Sequence, residues 1–72
     1  MLVTADMASI VWQVTVAEGD EVQPGQEILV LESMKMEIPI LSPVSGVVAH
    51  IPVAEGDVIE AGDTLARIER RP

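Results

Sequence analysis

Apolar positions along this chain come in short bursts instead of a helical rhythm. The runs Ile10 to Val16, Ile28 to Leu31 and Val47 to Val53 are of strand length and rich in β-branched residues. No stretch keeps apolar residues at a helical period for three turns. The punctuation between the runs agrees. Glu18-Gly19-Asp20 and Glu55-Gly56-Asp57 put glycine where a tight turn asks for positive φ, and Pro24-Gly25 and Ala61-Gly62 suit a second pair of turns. The pattern predicts an all-β fold.

The same pattern occurs twice. Displacing the sequence by 37 positions, from Val16 to Val53, lays Val16-Ala17-Glu18-Gly19-Asp20 on Val53-Ala54-Glu55-Gly56-Asp57 without a gap. The register persists with Gly25 on Gly62, Ile28 on Leu65, Leu31 on Ile68 and Glu32 on Glu69. Residues 8–32 thus match 45–69, which reads as a duplicated unit. The expected organisation is one domain over 1–72, with half-repeats of about 4–33 and 41–70 and a hairpin at 34–36 between them. Each half is too small to bury its own apolar face, so the two should close on each other as a two-sheet sandwich or flattened barrel with pseudo-twofold symmetry. The symmetry mate of Lys35 is then Pro72, which puts the Lys35 turn at the pole opposite the chain ends.

Between the strand ending near Glu32 and the run Ile38 to Leu41 there is room only for a very short hairpin centred on Met34-Lys35. Two-residue hairpin turns favour positive φ and usually recruit glycine or asparagine. Neither is present. A non-glycine residue held there costs on the order of 1 kcal/mol or more, and such strain concentrates at functional sites. At least one of Met34 and Met36 should be exposed at the tip, as a tolerant thioether contact surface.

Lys35 is the only lysine in the chain. A nucleophilic lysine needs its pKa lowered by burial or a neighbouring cation, whereas the nearest charges in sequence, Glu32 and Glu37, favour the ammonium form. Deprotonation would have to come from another enzyme's site, as for a modification substrate.

Composition narrows the picture further. With 72 residues, a formal net charge of −8 and a single aromatic, Trp12, the chain has neither the cations nor the stacking surface for nucleic acid. There is no cysteine, hence no disulfide, thiolate metal site or cysteine nucleophile. Met1 to Asp6 has no basic segment or apolar stretch, so a cytoplasmic location without a membrane span is expected. His50 pairs in the repeat with Gln13 and is expected on a solvent-facing strand position. No serine has a base in view for a triad, and the Glu-Gly-Asp turns lack the ligand series of a calcium loop.

The run Glu32-Ser33-Met34-Lys35-Met36-Glu37, with the two Glu-Gly-Asp units and Pro43-Val44-Ser45-Gly46-Val47-Val48, resembles the biotinyl/lipoyl attachment domain. Met-Lys-Met points to its biotin carboxyl carrier branch. The resemblance covers nearly the whole chain and implies a flattened eight-stranded barrel of two four-stranded antiparallel sheets. It implies covalent biotin on Lys35, added by a biotin protein ligase through biotinyl-adenylate, with Met34 and Met36 as flanking recognition residues and Glu32, Ser33 and Glu37 as hairpin context. As a swinging arm, the group would carry carboxylate from a biotin carboxylase to a carboxyltransferase; the domain carries and does not catalyse, as a monomer in isolation, with no metal. Ser33 stands where the carrier pattern usually has alanine, and Ala5-Asp6-Met7-Ala8-Ser9 where the family often has Ala-Pro-Met-Ala-Gly, which implies a less constrained edge turn. No insertion lies between the strands to form a protruding thumb, which favours the thumbless type. Two rivals remain open: a lipoyl domain with lipoate on Lys35, in which the lysine is commonly preceded by Asp and followed by Ala, and an unmodified β-sandwich interaction module.

Overall fold

The computed structural model describes residues 1–70, and no helix occurs among them. Eight strands follow one another: β1 (Leu2–Thr4), β2 (Ser9–Val14), β3 (Glu21–Val22), β4 (Glu27–Ser33), β5 (Met36–Leu41), β6 (Gly46–His50), β7 (Val58–Ile59) and β8 (Thr64–Arg70). They form two antiparallel four-stranded sheets, ordered β1-β8-β6-β3 and β5-β4-β2-β7. The fold is the all-β sandwich of two sheets that the sequence predicts. Between the sheets lies one core, built on Val11, Val22, Ile28, Leu29, Leu31, Val48, Ile59, Leu65 and Ile68.

The half-units interlock instead of forming one sheet each. A displacement of 37 carries β1, β2, β3 and β4 onto β5, β6, β7 and β8, so each sheet takes two strands from each half. The hydrogen bonds obey the same displacement. Gly19 N donates to Val48 O and Gly56 N to Val11 O, each at 2.8 Å. Asp20 Oδ2 accepts from Ala17 N and Asp57 Oδ2 from Ala54 N, each at 2.9 Å. These Asp side chains add to the backbone closure of the same turns, in which Asp20 N donates to Ala17 O and Asp57 N to Ala54 O, each at 3.0 Å. Gly19 and Gly56 supply the left-handed φ there, at 96° and 93°.

The glutamates of the same turns reach across to the other half. Glu18 Oε2 accepts from Ile51 N at 2.9 Å, and Glu55 Oε2 from Val14 N at 3.1 Å. Both bonds fall at the ends of β6 and β2, just past bulges that leave the ladder irregular. Duplication therefore repeats a set of ties as well as a strand pattern.

The body measures 38 × 17 × 17 Å. Thr4 leads through residues 5–8 to Ser9, which pairs with Ile59 beside the Ile10–Glu32 pair, so this end of β1 faces the β4–β5 turn. Met1, whose amine donates to Ile68 O at 2.8 Å, and Arg70 lie toward the other end. Pro72, the mate of Lys35 in the repeat, lies outside the described residues. The segment 5–8, expected to be loosely held, is tied at its start: Ala5 is buried, donates to Asp63 O at 2.9 Å and accepts from Gly62 N at 2.9 Å.

Candidate functional site

The β4–β5 hairpin is the longest ladder in the molecule, with partners from Glu27↔Leu41 to Ser33↔Met36. β4 is central in its sheet, flanked by β5 and β2, and its residues Ile28 to Leu31 are all buried. That anchors the base of the turn in the core. β5 lies on the sheet edge, where Pro39, opposite Val30, offers no N–H to a further strand.

Ser33 and Met36 are the last pair, leaving Met34 and Lys35 as a two-residue connection. Their φ values are 53° and 64°. Positive φ at both central residues is the signature of a type I′ turn, whose twist matches the strands it joins. Met34 and Lys35 are the non-glycine residues with positive φ among those described, so the strain expected from sequence is present and confined to this turn.

Lys35 is exposed, and its side chain makes no hydrogen bond or ion pair among the described residues. Met34 is 90% exposed and Met36 65%, so both side chains stand in solvent. Glu32 and Glu37 face each other directly across the ladder, a like-charge pairing that mildly opposes the hairpin. Ser33 is half-buried at the base of the turn. The site is thus a strained, rigidly based tip that presents one primary amine between two apolar, adaptable side chains.

His50, expected on a solvent-facing position, is exposed, but it is not alone. Its Nδ1 lies 2.9 Å from Glu18 Oε2, the oxygen that also accepts from Ile51 N. The Ile51 N–H first, and His50 second, hold the Glu18 carboxyl below its usual value. A folded-state pKa below the unfolded one gives stability that is present above the unfolded pKa and lost as pH falls through the folded value. Glu18→Gln should therefore lower the melting temperature at pH 7, and the gap to wild type should close on titration below about pH 4. Thermal melts at the two ends of that range read it directly. Repeat arithmetic pairs Glu18 with Glu55 and could have located both ties; the His50 contact left no trace in the pattern.

Residues 2–68 match the family described as "Biotin-requiring enzyme". The chain belongs to the biotin/lipoyl attachment family. It is 46% identical over 68 residues to a "Biotin/lipoyl attachment protein" of Bacillus subtilis, covering 94% of this chain and 93% of that protein. It is 48% identical over 66 residues to a "Biotinylated protein TB7.3 homolog" of Mycobacterium leprae, covering 92% and 93%. Among solved structures, Kluyveromyces lactis urea carboxylase contains a segment that superposes with a TM-score of 0.90 at 33% identity, covering 96% of this chain and 6% of that one. As a biotin/lipoyl attachment domain the chain is a carrier, not a catalyst. Its residues fit a covalently held group: the sole lysine stands exposed at the hairpin tip, and no neighbouring side chain bonds its amine among those described.

Proposed function

We propose that the chain is a biotin carboxyl carrier domain that holds biotin in amide linkage to Lys35. One observation carries this reading: the single lysine occupies a strained I′ turn between two exposed methionines, at the end of the body away from Met1 and Arg70. The ligase would activate biotin as biotinyl-adenylate. The Lys35 ammonium loses a proton to the ligase site, and the free amine attacks the biotinyl carbonyl. A C–N bond forms, the carbonyl–phosphate C–O bond breaks, AMP leaves with that electron pair, and the amide nitrogen releases a second proton.

Once attached, the group supplies a carboxyl-carrying ring, loaded at a biotin carboxylase and unloaded at a carboxyltransferase. The domain's part is mechanical. A stiff hairpin on a buried strand keeps the arm at the pole, and Met34 and Met36 offer contact without fixed geometry. Tethering turns encounters with two active sites into local ones at raised effective concentration. ATP-dependent activation suits a cytoplasmic protein, and the net charge of −8 suits a monomer.

Lipoate on Lys35 is the second reading, kept open by the two-group name of the Bacillus subtilis relative. Intact-mass measurement after parallel incubation with a biotin ligase and a lipoate ligase separates the two. The expected result is one biotin per chain and a streptavidin-positive band; a lipoyl mass alone would overturn the biotin reading.

A further inference from the structure

The pseudo-twofold supplies an internal control for the outer faces of the two sheets. On the lysine-bearing sheet, one row across the strands reads Glu37–Glu32–Ile10–Val58, and the next runs from Pro39 through Val30 to Gln13, with Trp12 bulged beside it. Ile10 is 46% exposed, Trp12 50% and Val58 73%. The equivalent positions on the other sheet, displaced by 37, are Val47 for Ile10, Ala49 for Trp12, Glu21 for Val58 and Arg67 for Val30. There Arg67 bonds Glu69 at 2.8 Å, beside the exposed Leu2. One strand framework therefore carries alanine at the Trp12 position and a charged residue at the Val58 position, so the strands do not require the valine in solvent. The indole, beside the buried Val30 whose mate Arg67 is exposed, covers far less of itself than a core ring would. Exposed apolar side chains that the fold does not need mark a contact surface.

We propose that the outer face formed by Ile10, Trp12 and Val58 is a docking surface for the biotin protein ligase, which would offer an apolar hollow edged by lysine or arginine. This rests on the carrier reading of Lys35. Location selects the ligase. Before any group is attached, the amine is borne only on the lysine's four-carbon stem, so the ligase has to come up to the turn itself. Ile10 lies opposite Glu32, two residues or about 7 Å of strand from Met34, with Val58 directly beyond it. Enzymes that receive the longer, loaded arm can stand further off. Charge selects the edge. Glu32 and Glu37 continue the apolar row toward the turn, and with a net charge of −8 a second copy of this chain would be repelled, whereas a basic rim would be steered in. A buried tryptophan anchor within such a rim is the usual anatomy of a binding hot spot.

The test replaces residues by their own symmetry mates, which the framework already accommodates. Trp12→Ala with Val58→Glu gives two of the four positions the residues of the other face, and Leu2→Glu on that other face is the control. Steady-state biotinylation by a bacterial biotin protein ligase, with ATP and biotin saturating and domain concentration varied, should show KM for the double variant raised about tenfold or more with kcat within twofold. Leu2→Glu should match wild type, and circular dichroism melts should confirm that all three proteins are folded. An unchanged KM in a folded double variant, on wild-type protein that is itself biotinylated, would overturn the docking surface and leave the carrier reading standing. Wild-type protein that takes no biotin would overturn the carrier reading, and the docking proposal with it. A dimer of wild type in sedimentation equilibrium that the double variant abolishes would assign the face to a second copy instead.

Discussion

Lys35→Arg is expected to abolish attachment completely while leaving the fold as stable as wild type. Arginine keeps the positive charge and length, but its guanidinium is never deprotonated in proteins and offers no free amine to an activated acyl group. Nothing in the fold compensates, since the chain has no second lysine. The remaining amine, that of Met1, donates to Ile68 O at the far end of the body. The stability half follows from position. Lys35 is exposed, unpaired among the described residues and outside the core, so the melting temperature should move by no more than about 4 °C, the range of an ordinary surface substitution. Lys35→Gly adds a second reading. With φ at 64° the turn stores backbone strain that glycine does not feel, so this variant should melt at or above wild type while being equally unmodifiable. Intact mass and thermal melts on the three proteins check both halves. Modification of Lys35→Arg protein, or a large drop in its melting temperature, would contradict the geometry of an exposed tip.

That turn was legible in the sequence because of what was missing from it. Two strand-like runs separated by so few residues force a two-residue connection, and the absence of glycine or asparagine from Met34-Lys35 announces strain before any coordinates. The all-β class was legible for a different reason: the apolar runs are of strand length and rich in β-branched residues, and none keeps a helical period. The interlocking of the halves was less so. Displacement by 37 shows that two units exist, but a repeat closing sheet to sheet and a repeat exchanging strands have the same sequence signature. Only the register separates them, β1 pairing with β8 and β3 with β6. The apolar outer face was hidden for a further reason. Ile10 and Trp12 lie in a run that also contains the buried Val11, and the bulge between Val11 and Gln13 breaks the alternation that would have assigned Trp12 to one side.

Strain at the tip and rigidity beneath it belong together. A left-handed pair of non-glycine residues persists only where its surroundings over-determine it. Here the surroundings are the β4–β5 ladder, anchored by Leu29 and Leu31 from the core side and by Ile38 and Ile40, half-buried, from the edge strand. The result is an arm base held in one orientation although it is exposed, which a ligase needs to find one amine and a carrier needs to return it to the same place.

Gly46→Ala is expected to be the most damaging single-methyl change in the protein. Gly46 is buried where β6 meets both β3 and β8, pairing with Val22 on one side and Arg70 on the other. A Cβ built there falls on the backbone carbonyl oxygen of Glu69 and crowds the Ile68 side chain. No rotamer relieves a clash with backbone, so the strands themselves have to part. Overpacking of this kind costs about 1–3 kcal/mol and occasionally more. A chain of this length has roughly 4–11 kcal/mol in all at the usual 0.05–0.15 per residue. At about 4–8 °C per kcal/mol for a domain of this size, the melting temperature should fall by about 4–24 °C, toward the upper part of that range because the clash is with backbone. The repeat conceals this position, because the mate of Gly46 is Ser9, which is also buried yet carries a side chain whose Oγ donates to Met7 O at 3.3 Å. The twofold is therefore broken at a matched position of β2 and β6 that is buried in both strands. Ser9→Gly is the matched control: it deletes atoms instead of adding them and should cost no more than about 1 kcal/mol, mostly in chain entropy. Equal melting temperatures for the two variants would mean that β6 and β8 yield to the added methyl at little cost. The close approach at Gly46 would then not be what fixes the register of the sheet facing the lysine-bearing one.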